Sequence, residues 1–167
     1  VSAQGVSAIG VAVDRHPATA IIDEAKARKA DLELAGCDGS LPFPTFPRFC
    51  GQTFLEGDDK ELGLACVHAY NDWMHDEWCG ESGGRMLPLG LIPLWDPQAA
   101  ADEIRRNAAR GFRAVAFSEI PSNLNLPSIH DADGYWLPFF EACNDTGTVI
   151  CMHIGSGSKM PSTSPDA

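Results

Sequence analysis

Apolar and polar positions alternate along this chain in blocks, and the blocks predict short buried strands separated by amphipathic helices. Three near-continuous apolar runs cover residues 86–95, 112–119 and 148–155, and such runs are typical of strands that are covered on both faces. Helical patterns at residues 96–111 and 134–147 lie between them. The alternation of strand and helix predicts an α/β fold with a parallel sheet and flanking helices.

The same kind of pattern predicts three further elements upstream. We expect a helix over residues 19–36, a short strand over 37–43 and a long helix over 58–79. Residues 1–18 show no comparable period, and we expect them to form a loosely ordered lead-in. All 167 residues are predicted to belong to a single domain.

Capping residues indicate where two of the helices begin and end. Asp96 is a predicted N-cap followed by proline at the first helical position, and Gly111 is the predicted stop of that helix. Asp58 is the predicted N-cap of the long helix. The buried stripe of the long helix is predicted to begin at Leu62 and to continue through its aromatic residues.

Two architectures are compatible with about four parallel strands. One is an open, doubly wound sheet, and the other is part of a TIM-like (β/α) barrel. A complete barrel has eight strands and about 250 residues. If the fold is a barrel, we therefore expect this chain to be a fragment of a larger domain.

Composition and charge exclude several classes of protein. The formal net charge is −11, and the chain has no cluster of lysine and arginine, so we expect no nucleic-acid partner. The longest apolar run contains two prolines and is too short to span a bilayer. The six cysteines form no C-x-x-C pair, and we expect reduced thiols in a cytoplasmic protein.

His153 is the main candidate for chemistry. It lies at the end of the last predicted strand, and Gly155 and Gly157 follow it. In parallel α/β folds the carboxyl ends of strands carry ligands and catalytic groups, so His153 is either a metal ligand or acid–base group, or a core histidine bonded to the backbone. Arg48 and Glu119 are further polar residues predicted near strand ends, where each contacts either substrate or loop backbone.

Two other motifs carry no function in our interpretation. Gly80–Gly84 matches the G-x-S-x-G pattern of serine hydrolases, but it follows a predicted helix and precedes a strand, which is the reverse of the required context. His68, Asp72 and His75 share one face of the long helix. An acidic helix flank is usually a solvated face, so we interpret these three residues as surface.

Several runs taken together resemble the amidohydrolase-2 family, which includes aminocarboxymuconate-semialdehyde decarboxylase. These runs are AYNDW, then PLWDP before a helix, then ARGFRAVAF, and finally a strand that ends in HIGS. The resemblance implies a TIM-like barrel with a divalent metal, usually zinc, and makes His153 the metal ligand on the fifth strand. The family's H-x-H pair is absent from this sequence, and the expected catalytic histidine lies outside this chain. The chain then corresponds to about the second to fifth strands.

The resemblance implies a fragment of a metal-dependent enzyme that hydrolyses or decarboxylates a small carboxylated substrate. Phe46, Arg48, Trp95 and Glu119 are the predicted substrate contacts, and we expect the isolated chain to be inactive. A homodimer is compatible with the open sheet edges of such a fragment. The alternative is a complete, small, open α/β domain that binds a ligand or partner and catalyses nothing.

Overall fold

A computed structural model describes residues 39–159 of the chain. Its centre is a three-stranded parallel sheet in the order β1-β2-β3, formed by Leu89–Gly90, Ala114–Phe117 and Val149–Met152. Leu89 pairs with Ala114, and Ala114 pairs with Val149, so all three strands start at one edge of the sheet. The predicted parallel sheet is confirmed. The helix predicted over residues 19–36 and the lead-in over 1–18 lie outside the described residues.

The strand predicted over residues 37–43 is reduced, in its described part, to one parallel bridge between Ser40 and Met86. The Ser40 amide donates to Arg85 at 2.8 Å, and the Leu87 amide donates to the Ser40 carbonyl at 2.8 Å. Pro42 and Pro44 follow, and proline has no N–H to donate to a ladder. The pairing therefore ends after one residue.

Among the described residues, two α-helices precede β1, and one α-helix lies between each two successive strands of the sheet. The helices are α1 (Gln52–Glu56), α2 (Lys60–Trp73), α3 (Pro97–Ala109) and α4 (Leu137–Thr146). A π-helical segment, Met74–Trp78, continues α2, and single 3-10 turns cover Gly80–Ser82 and Pro121–Leu124. The short helix α1 lies in the segment between the predicted strand over 37–43 and the predicted helix over 58–79.

The boundaries of α3 agree with the prediction. Asp96 accepts hydrogen bonds from the amides of Gln98 and Ala99, both at 3.0 Å. Pro97 occupies the first helical position, and Gly111 follows the helix with a φ of 102°, a left-handed conformation that favours glycine.

The predicted buried stripe of α2 was wrong in phase. Leu62 is 60% exposed, whereas Gly63, Val67 and Asn71 are buried. Gly63 lies against the Trp95 ring, where an added Cβ would be 3.1 Å from a ring carbon. The missing side chain lets α2 approach that ring closely, so a glycine rather than the neighbouring leucine faces inward. The N-cap is Asp59 rather than Asp58, and its carboxylate accepts from the Leu62 amide at 2.9 Å.

The core lies between the sheet and its helices. Leu89, Val115 and Ile104 are at most 3% exposed. Phe117 of β2 stacks on Phe139 of α4 with ring centroids 4.5 Å apart. Burial of these apolar surfaces is the main force that holds α3 and α4 on the sheet.

A buried polar cluster joins α2 and α3 to the segment after β1. The Asn71 side chain accepts from the Leu91 amide and donates to the Leu91 carbonyl, both at 2.8 Å. It also donates to Glu103 at 2.7 Å. Glu103 is 2% exposed and accepts from Arg106 and Asn107 as well. Asn71 therefore supplies the hydrogen bonds that β1, only two residues long, does not provide at Leu91.

Candidate functional site

The loops after β2 and β3 meet at the carboxyl edge of the sheet. Ser118 and Glu119 directly follow β2, and His153 directly follows β3. The Ser118 hydroxyl donates to the Ser156 carbonyl at 3.2 Å, and the Glu119 amide donates to the Ser156 hydroxyl at 2.9 Å. The two loops are thus joined directly, at the edge where parallel α/β folds carry their sites.

The His153 ring is held by two aromatic rings and one backbone oxygen. It stacks on Phe49 with centroids 3.9 Å apart and planes 4° apart, and Phe43 meets it edge-on at 5.2 Å. Its Nδ1 lies 2.7 Å from the carbonyl oxygen of Ile154. A carbonyl oxygen only accepts, so Nδ1 carries the hydrogen in this bond. In the neutral ring, Nε2 then has a free lone pair, which is the state that binds a metal ion.

Glu119, from the loop after β2, accepts several of the hydrogen bonds that hold the loop after His153. Its carboxylate accepts from the amides of Gly155, Ser156 and Gly157 at 2.9, 3.2 and 3.5 Å, and from the Ser156 hydroxyl at 2.6 Å. Partial burial raises the pKa of Glu119, but these hydrogen bonds from Ser156 and the three amides outweigh burial, and the net pKa is lowered. The carboxylate is therefore ionised and acts as the anion around which the loop folds.

A second segment, Arg48–Gln52, also forms hydrogen bonds with the loop that follows His153. Gln52 donates from Nε2 to the Gly155 carbonyl at 3.3 Å, and the Cys50 thiol donates to the Ser156 carbonyl at 3.5 Å. Arg48 donates to the Ser158 hydroxyl at 3.1 Å. Burial first, and the charge of Glu119 second, raise the pKa of Cys50 to about 12 against the opposing effect of Arg48. Cys50 is therefore a structural thiol rather than a nucleophile.

Two of the predicted substrate contacts lie in this loop cluster. The Arg48 guanidinium forms a two-pronged ion pair with the Glu56 carboxylate besides its bond to Ser158. The Glu119 carboxylate is directed at the loop amides. A role in substrate binding stays a prediction for both residues, and in the structure their charged groups bind protein atoms.

The other two predicted substrate contacts lie in different surroundings. Phe46 is 83% exposed, and its carbonyl accepts from Thr53 at 3.2 Å. The Trp95 ring packs against Gly63 of α2 and has the Lys60 ammonium 5.2 Å from its centroid. Their roles in substrate binding also stay predictions.

Several residues that contact the loops after β2 and β3 were not predicted from the sequence. They are Phe43, Phe49, Cys50, Gln52, Ser118 and Ser156. The residues from 43 to 52 fall in a segment that resembles an ordinary proline-rich loop and contacts residues about a hundred positions away. The small residues around Gly155 were a usable indication, because a loop of glycine and serine offers backbone amides to a nearby carboxylate.

The described residues do not form a metal site by themselves. No group of three or more histidine, cysteine, aspartate or glutamate side chains suitable for a metal occurs within residues 39–159. His153 fits as one ligand through Nε2, and structural or catalytic sites need at least three protein ligands. Within residues 39–159, His153 therefore lacks the further ligands that a metal site needs and does not hold a metal alone.

The G-x-S-x-G match and the face with His68, Asp72 and His75, to which we assigned no function from the sequence, have structural roles. The Ser82 hydroxyl accepts from the Met86 amide at 3.0 Å, and Ser82 is 4% exposed. Asp72 pairs with Arg106 and Arg110, whose hydrogen bonds lower the pKa of its carboxyl group. His68 lies 3.2 Å from the Glu103 carboxylate. On that face of α2, Asp72 is therefore the partner of two arginines and His68 that of a buried acid, while His75 lies in the π-helical segment that follows.

Comparison with known proteins agrees with this architecture. The structure resembles two crystal structures of 5-carboxyvanillate decarboxylase from Novosphingobium aromaticivorans, each with a TM-score of 0.63 and 20% sequence identity. Both contain manganese and a methoxy-hydroxy-nitrobenzoic acid, and one of them is a mutant. The match covers 85% of this chain but 39% of the neighbour. The fold is thus part of a TIM-like barrel, as predicted.

Within residues 39–159, every helix is too short or too polar to span a membrane.

No curated protein matches the chain. The model of the amidohydrolase-2 family, described as Amidohydrolase, matches residues 38–167. That match covers more than half of the sequence and includes His153 and both loops of the site. The chain therefore belongs to the amidohydrolase-2 family.

Proposed function

We propose that this chain is part of a metal-dependent enzyme that hydrolyses or decarboxylates a small carboxylated substrate, and that His153 is one ligand of its divalent metal. One observation carries the proposal. His153 directly follows β3, and its Nδ1 is bonded to a backbone carbonyl, so that Nε2 is the nitrogen left to bind a cation. Family membership and the carboxylated aromatic ligand of the structural neighbours support the class of substrate.

The residues of this chain have distinct tasks in that function. Phe49 and Phe43 hold the plane of the His153 ring, and the loop of residues 155–158 is fixed by Glu119 and Gln52. A bound divalent metal supplies a Lewis acid that polarises a carboxylate or carbonyl and lowers the pKa of water. Zinc was expected from the resemblance, but the structural neighbours contain manganese, and we propose only a divalent metal.

The cellular setting and assembly are also proposals. We place the protein in the cytoplasm because no disulfide joins any of the five cysteines within residues 39–159. A homodimer stays a prediction based on β3, which is the last strand of the described sheet. Val149 and Met152 of this strand are 59% and 48% exposed.

Metal content tests the proposed ligand. The complete reading frame that contains this sequence is expected to retain one metal per chain after dialysis, measured by inductively coupled plasma mass spectrometry. His153→Ala should abolish the metal, whereas His130→Ala, in an exposed loop, should retain it. Retention of full stoichiometry in His153→Ala would exclude His153 as a ligand.

The same measurement on the 167-residue chain tests the ligand count. With one fitting ligand in the described residues, the chain alone should hold no stoichiometric metal. Stoichiometric metal that is lost in His153→Ala would contradict this expectation. A chain that melts cooperatively as a monomer would instead favour the alternative, a self-contained α/β binding domain.

A further inference from the structure

The peptide unit between Ile154 and Gly155 is engaged at both of its polar ends. Its carbonyl oxygen lies 2.7 Å from Nδ1 of His153, and its N–H donates to Oε1 of Glu119 at 2.9 Å. The peptide bond is planar, so the orientation of the N–H determines that of the C=O. A continuous chain of hydrogen bonds therefore runs from the Glu119 carboxylate through one rigid peptide to the imidazole ring.

We propose that Glu119 is a positioning residue for His153, which fixes the orientation and tautomer of the imidazole through the Ile154–Gly155 peptide. The inference rests on the proposed function, in which Nε2 of this ring binds a metal. It gives Glu119 a role different from the substrate contact expected from the sequence. In other metal sites a carboxylate or a backbone carbonyl bonds the ligand histidine directly. Here the Ile154 carbonyl bonds it, and the Glu119 carboxylate acts on that carbonyl through the peptide.

The loop needs an external group to hold this peptide. Gly155 has a φ of 90°, and glycine leaves its flanking peptides free to adopt more than one orientation. Gln52 donates from Nε2 to the carbonyl of the following peptide, that of Gly155, at 3.3 Å. Among the hydrogen bonds of the described residues, the one to Glu119 is the bond that engages the Gly155 N–H.

The chemistry of the contacts requires a carboxylate at position 119. Three backbone N–H groups and the Ser156 hydroxyl all direct hydrogens at the two carboxylate oxygens. The Ser156 oxygen accepts from the Glu119 amide at 2.9 Å, which leaves its hydrogen for the carboxylate. An amide side chain would place an NH₂ group against these donors. The negative charge also polarises the peptide, which makes its carbonyl a stronger acceptor for Nδ1–H.

Nuclear magnetic resonance tests the proposal without any metal. We would record the ring ¹⁵N shifts of His153 at about pH 8, where an ordinary imidazole is neutral, in the wild type, in Glu119→Gln and in the control Glu141→Gln. Glu141 is exposed on α4. The wild type and the control should show one protonated and one unprotonated nitrogen. Glu119→Gln should move both shifts toward each other, as expected for exchange between two tautomers.

Hydrogen exchange of the loop amides separates positioning from a purely structural role. Faster exchange at Gly155 and Ser156 in Glu119→Gln with unchanged His153 ring shifts would overturn the proposal, because the loop would then loosen without affecting the ring. Unchanged exchange and unchanged shifts would overturn it as well. If Glu119→Gln does not fold, Glu119→Asp keeps the charge but withdraws it by one methylene, and the same shift change is expected.

Metal affinity in the complete protein provides the link to function. Glu119→Gln is expected to weaken metal binding about 10- to 100-fold, the range for residues that orient a ligand histidine, and Glu141→Gln should leave it unchanged. The two hypotheses fail differently. If His153 is not a ligand, His153→Ala retains metal while the ring shifts still respond to Glu119→Gln. If positioning is wrong, His153→Ala loses metal while Glu119→Gln leaves the ring shifts unchanged.

Discussion

Replacement of Asn71 by alanine is expected to destabilise the fold strongly, because its side chain substitutes for a strand partner. Leu91 is 0% exposed, and both its amide and its carbonyl bond to the Asn71 side chain at 2.8 Å. Asn71→Ala removes both of these partners. Glu103 loses one donor at 2.7 Å but keeps Arg106 and Asn107.

The size of the effect follows from these contacts. A buried backbone group without a partner costs about 1–3 kcal/mol, so the two groups of Leu91 cost about 4 kcal/mol together. Alanine recovers about 0.5 kcal/mol because it has a higher helix propensity than asparagine. We therefore expect Asn71→Ala to lower the free energy of unfolding by about 3.5 kcal/mol.

Guanidinium denaturation followed by circular dichroism measures this quantity. Asn144→Ala is the matched control, because Asn144 is an exposed helical residue of α4 and should change stability by about 0.5 kcal/mol or less. Asn71→Asp should be more harmful than alanine, since its second oxygen would face the Leu91 carbonyl and the Glu103 carboxylate. A loss below about 1 kcal/mol for Asn71→Ala would refute the reasoning, because water would then satisfy Leu91 equally well.

Three further predictions concern a cap, a close contact and pH. Asp96→Ala should cost about 1 kcal/mol in the same denaturation assay, because it removes the N-cap of α3; no loss would contradict the capping geometry. Gly63→Ala should destabilise by about 1 kcal/mol and alter tryptophan fluorescence, because the new Cβ lies 3.1 Å from the Trp95 ring; a gain in stability would show that the ring yields freely. The pKa values of Glu119 and Asp72 are lowered in the fold by hydrogen bonds. Their stabilisation is therefore fully present above about pH 5 and is lost as the pH falls through the lower native values. Stability of Glu119→Gln should accordingly vary less with pH in this range, and an unchanged pH dependence would contradict the assignment.

The elements that the sequence predicted well are those determined by local chemistry. The start and stop of α3 depend on Asp96, Pro97 and Gly111, each of which acts within one helical turn. The phase of α2 was wrong because hydrophobicity favoured Leu62. The inward face of that helix depends on close approach to Trp95 and on a polar partner for Leu91, and both are tertiary contacts.

The candidate site was predictable only in part, for the same physical reason. His153 could be placed at the carboxyl edge because it ends an apolar run that predicts a strand. The rings that hold it, Phe43 and Phe49, and the side chain of Gln52 come from a distant segment without regular periodicity. Glu119 was placed at the right edge, but no local pattern indicates that its carboxylate binds the amides of another loop.

The contacts between Arg48–Gln52 and the loop after β3 impose an order on folding. They join residues 103 to 110 positions apart, and contacts of such long range form late and slow the folding of a domain. During synthesis at about 5–20 residues per second, the first partner waits about 5–20 s for the second to be made. Phe43 and Phe49 have no His153 ring to pack against until then. The surroundings of His153 are therefore among the last parts of this chain to be completed, and the nascent protein exposes an aromatic surface that chaperones can bind.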